Sequence, residues 1–489
     1  MTAMEHLDRA ALAGLHPDRR PLVDPRDLRP RIVHIGLGAF HRAHQAVYTE
    51  AAAARTGEPW GIVAVAPRSS VAAMRAQDCL YSVTDLAPGA GTTRVVGAVV
   101  EALEMRPDAG RLTELLRSPE VTTVTLTVTE KGYSRRTGGG LDTAAAGVVA
   151  DLAATASAEP DLVTVVGRLS AGLAERFRAG GAPIDVVSCD NTAANGAALA
   201  GVVREFVAAS AWRDRDAVVD WLGTSVGFPD TIVDRIVPAT TDRDRDAAAT
   251  ALGVRDEMAV VGEPYRQWVL EDGFVAARPR WELDGALIVP DVAPYQLMKL
   301  RLLNGSHSAM AYLGTAAGCT TVADVLATEW GEPLVRAFGA EVAPTLPASD
   351  SGAGLDAGPD PERYVDDLVT RFRNPAMQHL LRQIGSDGSL KIRERWLPAL
   401  RELRAAPAST PVLELALAGW VAATGPGPMN EITDPAAAAL NRCWTDPDPR
   451  TVVAGLLRTV GATDLAEQAD LVGSVAARLP ALRAGRIEL

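Results

Sequence analysis

The fold of this chain is decided by the stretch RIVHIGLGAFHRAHQAVYTEAAAAR, residues 31–55. It opens with a short apolar run that ends in glycines, which predicts a buried β-strand over 31–38. The residues that follow, 39–55, have the pattern of a helix. A strand, a glycine turn and a helix in this order are typical of an α/β domain.

The turn itself carries the glycine pattern of a dinucleotide site. Gly36 and Gly38 occupy the first two positions of G-x-G-x-x-G, and His41 stands at the third. The first glycine permits a tight turn, the second lets a pyrophosphate approach the backbone, and the helix that follows offers N–H donors. We therefore expect Gly36, Gly38, Ala39 and Phe40 to bind a dinucleotide cofactor.

The end of the next predicted strand bears on which dinucleotide this is. The strand is WGIVAVAP, residues 60–67, and the acidic residue expected at its end for the ribose hydroxyl is missing. Arg68, Ser69 and Ser70 stand there instead, and arginine with serine suits a 2′-phosphate. We expect Arg68 to contact the cofactor, and the sequence leaves NAD and NADP both open.

Strands and helices alternate through the rest of the first half. A strand pair is predicted in LYSVTD and TTRVVGAV, and buried strands in VTTVTLTVTE (121–130) and APIDVVSCDN (182–191). Helical patterns lie in GLDTAAAGVVADLAATAS, TVVGRLSAGLAERFRAGG and TAANGAALAGVVREFVAA. This alternation predicts an α/β fold, with a Rossmann-type doubly wound parallel sheet.

After about residue 285 the pattern changes, because helical periodicity dominates and convincing strands become rare. We therefore predict a dinucleotide-binding Rossmann domain over residues 1–285 and a mostly α-helical substrate and catalytic domain over 286–489. The segment TLPASDSGAGLDAGPDPERY, 345–364, is rich in Pro, Gly, Asp and Ser and is predicted to be a long loop inside the second domain.

Length and composition exclude several classes of protein. A chain of 489 residues is too long for one core, and a net charge of −13 argues against a nucleic-acid partner. Cys79, Cys189, Cys319 and Cys443 lie far apart, which fits neither a disulfide framework nor a zinc cluster. No run of 18 apolar residues occurs. We expect a monomer of the reducing cytoplasm, with no membrane partner.

Lysine is scarce in this chain, and its positions are therefore informative. Of the 48 Lys and Arg residues only three are lysines, Lys131, Lys299 and Lys391. Desolvation can bring the pKa of a buried ammonium group toward neutrality, whereas a guanidinium stays charged. A lysine in an arginine-rich chain is thus a candidate general base, although a plain surface role remains open for each of the three.

Lys299 lies in a predicted helix with other polar residues near it. At 100° per residue, Gln296, His307 and Asn304 fall about 60°, 80° and 140° from Lys299 around the helix axis. Most of the other positions are Leu, Met and Ala. A polar arc on so apolar a helix either faces solvent or lines a cavity.

Together these motifs resemble the mannitol dehydrogenase family, the polyol-specific long-chain dehydrogenases that also include fructuronate and tagaturonate reductases. The resemblance spans roughly residues 30 to 400 and is carried by IGLGAFHRAHQ, VTLTVTEKGY, SCDNTAANG, FPDTIVDRIVP, VVGEPYRQWVLED, KLRLLNGSHS and RFRNPAMQHLLRQIGSDGSLKI. The combination K-x4-N-G-x-H with an upstream C-D-N is specific. The family implies metal-free hydride transfer between a nicotinamide cofactor, NAD or also NADP, and a polyol and ketose pair such as D-mannitol and D-fructose.

The resemblance also implies roles for individual residues. Lys299 matches the general base, and Asn191 and Asn304 match two asparagines that hold the oxygen as it becomes an alkoxide or ketone. His307 matches a histidine that orients the reacting end of the substrate. Asp234 matches a residue that contacts substrate hydroxyls. Two carboxamide donors aimed at one oxygen would act like an oxyanion hole.

Further candidates come from the same motifs. Those for cofactor binding are Glu130, Lys131 and Asp190. Lys131 follows a predicted strand at its carboxyl end, where open α/β sheets bind ligands.

Candidates for holding the far end of a long substrate are Arg373, His379 and Lys391. The carboxylate of a hexuronate needs a cation, which Arg373 or Lys391 can supply. The alternative that each of them holds a loop in place stays open.

The residues also admit other classes of protein. A zinc-dependent polyol dehydrogenase needs clustered Cys, His and Glu ligands, which the cysteines here do not offer. A short-chain dehydrogenase needs Tyr-x-x-x-Lys, and Tyr295 and Lys299 fit that spacing, but about 260 residues after the glycine turn. A hexuronate reductase and a non-catalytic dinucleotide sensor remain as alternatives. Many relatives carry Glu where this chain has Gln296, which can hydrogen-bond but cannot pass a proton as a carboxylate does.

Overall fold

The computed structural model describes residues 4–89, 91–347, 359–406, 408–426 and 433–489. The chain divides into two compact units, Met1–Val292 and Ala293–Leu489. The strands of the first unit are β1 (Arg29–Ile35), β2 (Trp60–Ala66), β3 (Tyr81–Asp85), β4 (Thr92–Val96), β5 (Val99–Glu104), β6 (Thr123–Leu126), β7 (Ile184–Ser188), β8 (Val226–Gly227), β9 (Thr231–Asp234), β10 (Val260–Gly262), β11 (Gln267–Glu271) and β12 (Leu287–Val289).

Helices connect most of these strands. They are α1 (Ala39–Ala43), α2 (Gln45–Thr56), α3 (Ala72–Ala76), α4 (Ala109–Arg117), α5 (Ala146–Ala154), α6 (Val165–Arg178), α7 (Asn195–Ala209), α8 (Arg215–Ser225) and α9 (Asp242–Leu252). Short 3₁₀ helices cover Ala11–Gly14, Pro17–Arg19, Glu130–Tyr133 and Trp281–Asp284.

The main sheet of the first unit is parallel, with the strand order β5-β2-β1-β6-β7-β8. The chain builds outward from β1 in one direction and then, from β6, in the other. The predicted Rossmann-type sheet is confirmed. In open sheets of this kind ligands bind outside the carboxyl ends of the strands where the order reverses, which is here between β1 and β6.

Burial explains why the strands of this sheet can be predicted from continuous apolar runs in the sequence. Every residue of β2, β6 and β7 is buried, as expected for parallel strands that helices cover on both faces. Two smaller sheets accompany it, with the orders β10-β3-β4 and β12-β11-β9. The predicted strand pair LYSVTD and TTRVVGAV is confirmed as the antiparallel pair β3 and β4.

Two elements differ from the prediction. The strand predicted over 121–130 ends at Leu126, because the chain turns away and enters the 3₁₀ helix Glu130–Tyr133. The helix predicted over 39–55 is interrupted at His44, where φ is −124° and ψ is −86°.

The second unit is mostly α-helical, as predicted. Its helices are α10 (Ala293–Met298), a π-helix (Lys299–Asn304), α11 (Gly305–Ala316), α12 (Val322–Leu326), α13 (Gly331–Val342), a 3₁₀ helix (Ala343–Thr345), α14 (Pro361–Phe372), α15 (Leu381–Gly385), α16 (Gly388–Arg395), α17 (Leu397–Ala405), α18 (Pro411–Ala423), α19 (Ala437–Cys443), α20 (Pro449–Thr459), α21 (Thr463–Ala466) and α22 (Ala469–Arg483). They surround one apolar core whose largest fully buried side chains include Tyr312, Phe338, Trp396 and Trp420.

Of the loop predicted over 345–364, residues 348–358 lie outside the described part of the chain. Its last residues are helical: α14 begins at Pro361, and the Asp360 carboxylate accepts the N–H groups of Glu362 and Arg363. This is an N-cap followed by proline at the first helical position, a helix start that the Pro-rich composition concealed. Within the described ranges no helix has the length and apolarity needed to cross a membrane.

Candidate active site

The glycine turn follows β1 at the point where the strand order reverses. Gly36 has φ of +119°, and a Cβ at this position would collide with the carbonyl oxygen of Thr127. A Cβ on Gly38 would meet no closer atom than the Gly36 carbonyl oxygen, at 3.7 Å. The packing of the protein therefore requires glycine at 36 but not at 38. A glycine without a packing reason at this position fits a ligand that comes close to the backbone.

His41 stands where the dinucleotide pattern has its third glycine. Its ring is fully buried and stacks on His34 of β1, with ring centroids 3.4 Å apart. His34 is itself held, because its Nδ1 lies 2.7 Å from Thr125 Oγ1 and its Nε2 lies 3.0 Å from the Gly36 carbonyl oxygen. The helix is interrupted at His44, directly after the short helix α1. The His41 imidazole packs against β1, in the space that would be empty if residue 41 were glycine.

Burial controls the charge of this histidine pair. Desolvation lowers the pKa of His34 to about 3 and holds the pKa of His41 well below its ordinary value, with the neighbouring His34 and Arg42 acting in the same direction. Both rings are therefore neutral at pH 7. The glycine turn is supported by an uncharged stack that joins strand and helix.

A cavity of about 620 Å³ lies over the glycine turn. Its lining comes from the turn, the end of β2, the loop after β6 and the residues at the start of α6. The lining residues are Gly36, Leu37, Gly38, Pro67, Arg68, Ser69, Met105, Thr127, Val128, Thr129, Lys131, Gly132, Ser134, Gly147, Val163, Thr164 and Val165. Of the candidates for cofactor binding, the structure thus brings Gly36, Gly38, Arg68 and Lys131 together around one cavity.

The other candidates for cofactor binding lie nearby. Ala39 and Phe40 begin α1, directly after the glycine turn. Glu130 is exposed, at the start of the 3₁₀ helix beside Lys131. The Asp190 carboxylate accepts hydrogen bonds from the backbone N–H groups of residues 128 and 129 and from the Tyr133 hydroxyl. Burial raises the pKa of Asp190, and these hydrogen bonds oppose that rise.

Two candidates for substrate contact also belong to the first unit. Asn191 follows Asp190 beyond the end of β7 and is exposed. Asp234 is the last residue of β9 and is 6% exposed.

The catalytic candidates of the second unit lie on one continuous helical run. Lys299 is the first residue of the π-helix and Asn304 is the last, between α10 and α11. The angle of about 140° that an α-helical wheel gives between them therefore does not apply, because the i to i+5 hydrogen bonds of a π turn put residues five apart on the same face of the helix. The residue pattern does not predict this local change from an α-helix to a π-helix.

Side chains satisfy the carbonyl groups around the π turn. Ser306 Oγ donates to the carbonyl oxygens of residues 302 and 303, at 2.6 and 3.2 Å. From α16 and the residue after it, Arg395 Nη1 donates to the Asn304 carbonyl and Trp396 Nε1 donates to the Gly305 carbonyl, each at 3.1 Å. An irregular turn leaves backbone acceptors poorly paired, and these donors stabilise it.

His307 follows one turn later and is 9% exposed. Its ring centroid lies 4.5 Å from that of Phe372 and 5.5 Å from that of His379. His379, predicted at the far end of the substrate, is thus a direct neighbour of the histidine predicted at the reacting end. Tyr295, one turn before Lys299, is buried, and burial raises the pKa of its hydroxyl.

The two cations predicted to hold the far end of the substrate have partners within the protein. Arg373 is exposed and forms an ion pair with Glu332 of α13. Lys391 is half-buried, and its Nζ donates to the Ile384 carbonyl at 3.1 Å. Burial lowers the pKa of Lys391, and the adjacent Arg395 lowers it further.

Sequence reasoning missed four residues that shape these sites: His34, Tyr133, Arg395 and Trp396. His34 carried a weak signal, since it is a polar residue in an otherwise apolar strand. The other three carry none, because their roles depend on contacts with residues distant in the chain. Among the described residues no group of three or more His, Cys, Asp or Glu side chains is placed to hold a metal ion.

Comparison with known proteins gives the class. Residues 30–283 match the mannitol dehydrogenase Rossmann domain, and residues 291–483 match the mannitol dehydrogenase C-terminal domain. The D-mannonate oxidoreductase of Escherichia coli (strain K12) is 36% identical over 94% of this chain and 95% of its own. The mannitol 2-dehydrogenase of Cereibacter sphaeroides is 37% identical over 86% of this chain and 87% of its own.

A solved structure agrees with these matches. The Pseudomonas fluorescens mannitol 2-dehydrogenase, in a ternary complex with NAD and D-mannitol, superposes with a TM-score of 0.77 at 32% identity, over 98% of this chain and 97% of that one. The fold and site features thus define an oxidoreductase that acts on CH–OH groups. The chain belongs to the mannitol dehydrogenase family, as its motifs predicted.

Proposed function

We propose that this protein is a metal-independent, nicotinamide-dependent oxidoreductase that interconverts a sugar alcohol and its ketose, of the D-mannitol and D-fructose type, with Lys299 as the general base. The observation that carries the proposal is the π turn, which begins at Lys299 and ends at Asn304 and is followed by the buried His307. A lysine, a carboxamide and an imidazole on successive turns of one helix are the groups needed to accept a proton and hold an oxygen.

Each side chain then has a defined task. Lys299 Nζ, in its neutral form, takes the proton of the reacting hydroxyl, which an arginine at this position would not do. The amide N–H groups of Asn304 donate to the same oxygen as its negative charge develops. His307, fixed against Phe372, donates to or accepts from a substrate hydroxyl and so orients the carbon chain. Asn191 is assigned a role like that of Asn304 on the family resemblance alone.

The nicotinamide ring, when bound, supplies the hydride acceptor. The residues that would hold the dinucleotide are those of the 620 Å³ cavity, and glycine at position 38, which packing does not require, supports the fit. The related Pseudomonas fluorescens enzyme binds NAD, which favours NAD here. Arg68 and Ser69 line the same cavity, and no Asp or Glu adjoins them in the sequence, so we expect NADP to be accepted as well.

A sugar acid is the second candidate substrate, because the similarity to D-mannonate oxidoreductase extends over nearly the whole of both chains. A carboxylate substrate needs a cation that is not already neutralised by an acidic side chain. Arg373 is paired with Glu332, whereas Lys391 donates to a carbonyl, which carries no charge. The pairing of Arg373 favours the uncharged polyol.

The test is a substrate panel with the purified protein. Mannitol, arabinitol and sorbitol are offered for oxidation, and fructose, fructuronate and tagaturonate for reduction, each with both cofactors. We expect the highest kcat/KM for a polyol and ketose pair. Clear preference for a uronate would move the assignment to the second candidate, and cofactor binding without any turnover would indicate a sensor. Size-exclusion chromatography checks the expected monomer.

A further inference from the structure

The backbone of Thr129 adopts a conformation that side chains normally avoid. Its φ is 63° and its ψ is 164°, a combination found almost only in glycine. Threonine is β-branched and is among the residues least suited to it. Such a conformation persists only where the surroundings hold it, so the contacts of Thr129 must supply the restraint.

The restraint comes mainly from one carboxylate. Asp190 Oδ1 accepts the Thr129 N–H at 2.9 Å, and Oδ2 accepts the Val128 N–H at 3.0 Å. The Tyr133 hydroxyl donates to Oδ2 at 2.6 Å, which ties the far end of the same loop to the same group. The Thr129 carbonyl accepts the Gly132 N–H at 2.9 Å. Both sides of the strained residue are thus fixed.

Asp190 is itself held firmly. Its backbone carbonyl accepts Asn195 Nδ2 and the Thr192 N–H, both at 2.9 Å. Asn195 is 2% exposed and also donates to the Ser188 carbonyl at the end of β7, at 3.2 Å. The carboxylate is therefore anchored to the central sheet, and it acts on the loop from a fixed position.

This loop forms one wall of the cavity over the glycine turn. Residues 127, 128, 129, 131, 132 and 134 all line that cavity, directly beyond the carboxyl end of β6. The neighbouring Gly132 allows no side chain, because a Cβ there would lie 2.7 Å from Val128 Cγ2. The wall is a tight, strained turn with little freedom to change shape on its own.

We propose that Asp190 is a positioning residue, which holds Thr129 in a glycine-type conformation and thereby keeps the 127–134 loop in the shape that receives the dinucleotide. Asp190 acts through the loop backbone and not by touching the cofactor. The inference rests on the proposed dinucleotide-binding function of the cavity. The strained conformation of Thr129 then lowers the cost of binding, since a relaxed loop would have to be ordered each time the cofactor binds.

The experiment is a rescue by glycine. Asp190→Asn replaces one acceptor oxygen by an N–H₂ group that cannot accept from the backbone, and we expect the Kd for NADH, measured by fluorescence titration, to rise about tenfold or more. Thr129→Gly in the same background removes the need for restraint, because glycine adopts this conformation without strain. We expect the double variant to recover most of the lost affinity. The single Thr129→Gly variant completes the cycle, in which the two effects should be strongly non-additive.

Ser134→Gly in the Asp190→Asn background is the matched control. Ser134 lies in the same loop and also has a positive φ, 50°, but its N–H bonds to the Lys131 carbonyl and not to Asp190. It should give no rescue. Tyr133→Phe removes a single donor to the carboxylate and should shift the Kd in the same direction by a smaller factor.

Several results would overturn the proposal. Wild-type affinity in folded Asp190→Asn is one, and a double variant that binds no better than Asp190→Asn is another. Rescue by Ser134→Gly as well would mean a general gain of flexibility instead of a specific clamp. Hydrogen exchange at the amides of Val128 and Thr129 tests, without any ligand, the two hydrogen bonds to Asp190 that clamp this loop. Exchange at both amides should be faster in Asp190→Asn. Fast exchange in that variant with no dinucleotide binding by the wild type would refute the proposed function and leave the clamp intact.

Discussion

The imidazole rings of His34 and His41 stack with their centroids 3.4 Å apart and their planes 10° from parallel. His34 belongs to β1 and His41 to α1, so the stack joins the two elements that flank the glycine turn. Both rings are completely buried, and His44, also buried, lies just beyond. A glycine turn that has only two of the three glycines of the dinucleotide pattern is thus supported by a stack of buried, neutral imidazole rings.

This stack predicts loss of stability in mild acid. Burial keeps the folded-state pKa of His34 and His44 at about 3 and that of His41 far below 6.5. The stability these neutral rings contribute is complete above the unfolded-state pKa of about 6.5 and is lost as the pH falls from there toward the folded-state values. The loss is about 1.4 kcal/mol per histidine and pH unit. We expect Tm to fall between pH 7.0 and 5.5.

His41→Phe keeps a stacked ring and removes one titrating group, so its Tm should fall less over the same pH range. The matched control is His16→Phe, because the His16 side chain is 70% exposed and lies outside the stack, so this variant shows what removing a surface histidine does to the slope. Identical slopes for wild type and His41→Phe would show that His41 does not contribute to the acid sensitivity.

Lys299 is predicted to be the base, with Tyr295 as a packing residue. Lys299→Ala should lower kcat by roughly 10²- to 10⁴-fold, and Lys299→Arg should not restore it, since a guanidinium keeps its proton near neutrality. Tyr295→Phe should cost little, because burial raises the pKa of the Tyr295 hydroxyl and so leaves hardly any phenolate to act as a base near neutral pH. The pH profile of alcohol oxidation should rise through one ionisation that the alanine variant lacks. A folded, cofactor-binding but inactive Tyr295→Phe enzyme would favour short-chain chemistry instead.

Arg68 is predicted to sense the 2′-position of the cofactor. It lines the cavity over the glycine turn, at the end of β2, and is exposed there. Arg68→Asp should lower kcat/KM for NADP(H) more than for NAD(H), because a carboxylate repels a 2′-phosphate and accepts from a ribose hydroxyl. Arg204→Asp on the exposed side of α7 makes the same change in net charge and should alter neither ratio. Equal effects of Arg68→Asp on both cofactors would contradict this role.

The π turn is predicted to need its side-chain donors. Trp396→Phe removes the N–H that caps the Gly305 carbonyl, and Arg395→Met removes the donor to Asn304. A buried acceptor left unpaired costs about 1–3 kcal/mol, so each change should lower kcat by roughly tenfold through misplacement of the helix. The Kd for NADH should stay the same. Trp444→Phe is the control, since Trp444 Nε1 also donates a hydrogen bond at 3.1 Å, to Thr424, away from this turn. Equal losses in both tryptophan variants would indicate a general packing effect.

Most of the fold was predictable because its signals are local. The strand before Gly36 and the apolar strands up to residue 188 are recognisable from short runs of β-branched residues, and burial on both sides of the sheet is what makes those runs continuous. The helical second unit followed from residue periodicity in the same way. Element ends are less predictable: the strand β6 ends at Leu126, although β-branched residues continue past it, to where the Asp190 carboxylate binds the backbone of Val128.

The sequence by itself determined the family, the glycine turn and the identity of the catalytic candidates, because each depends on residue types at fixed spacing. Only the tertiary structure decided how those residues are held. The stacking of His34 on His41, the clamp from Asp190 to Thr129 and the π turn capped by Arg395 join residues that are separated along the chain by 7, 61 and 91 positions. The two longer contacts depend on the packing of whole elements, which no local window of sequence records. The two histidines are close in sequence, but their stacking depends on how α1 packs against β1.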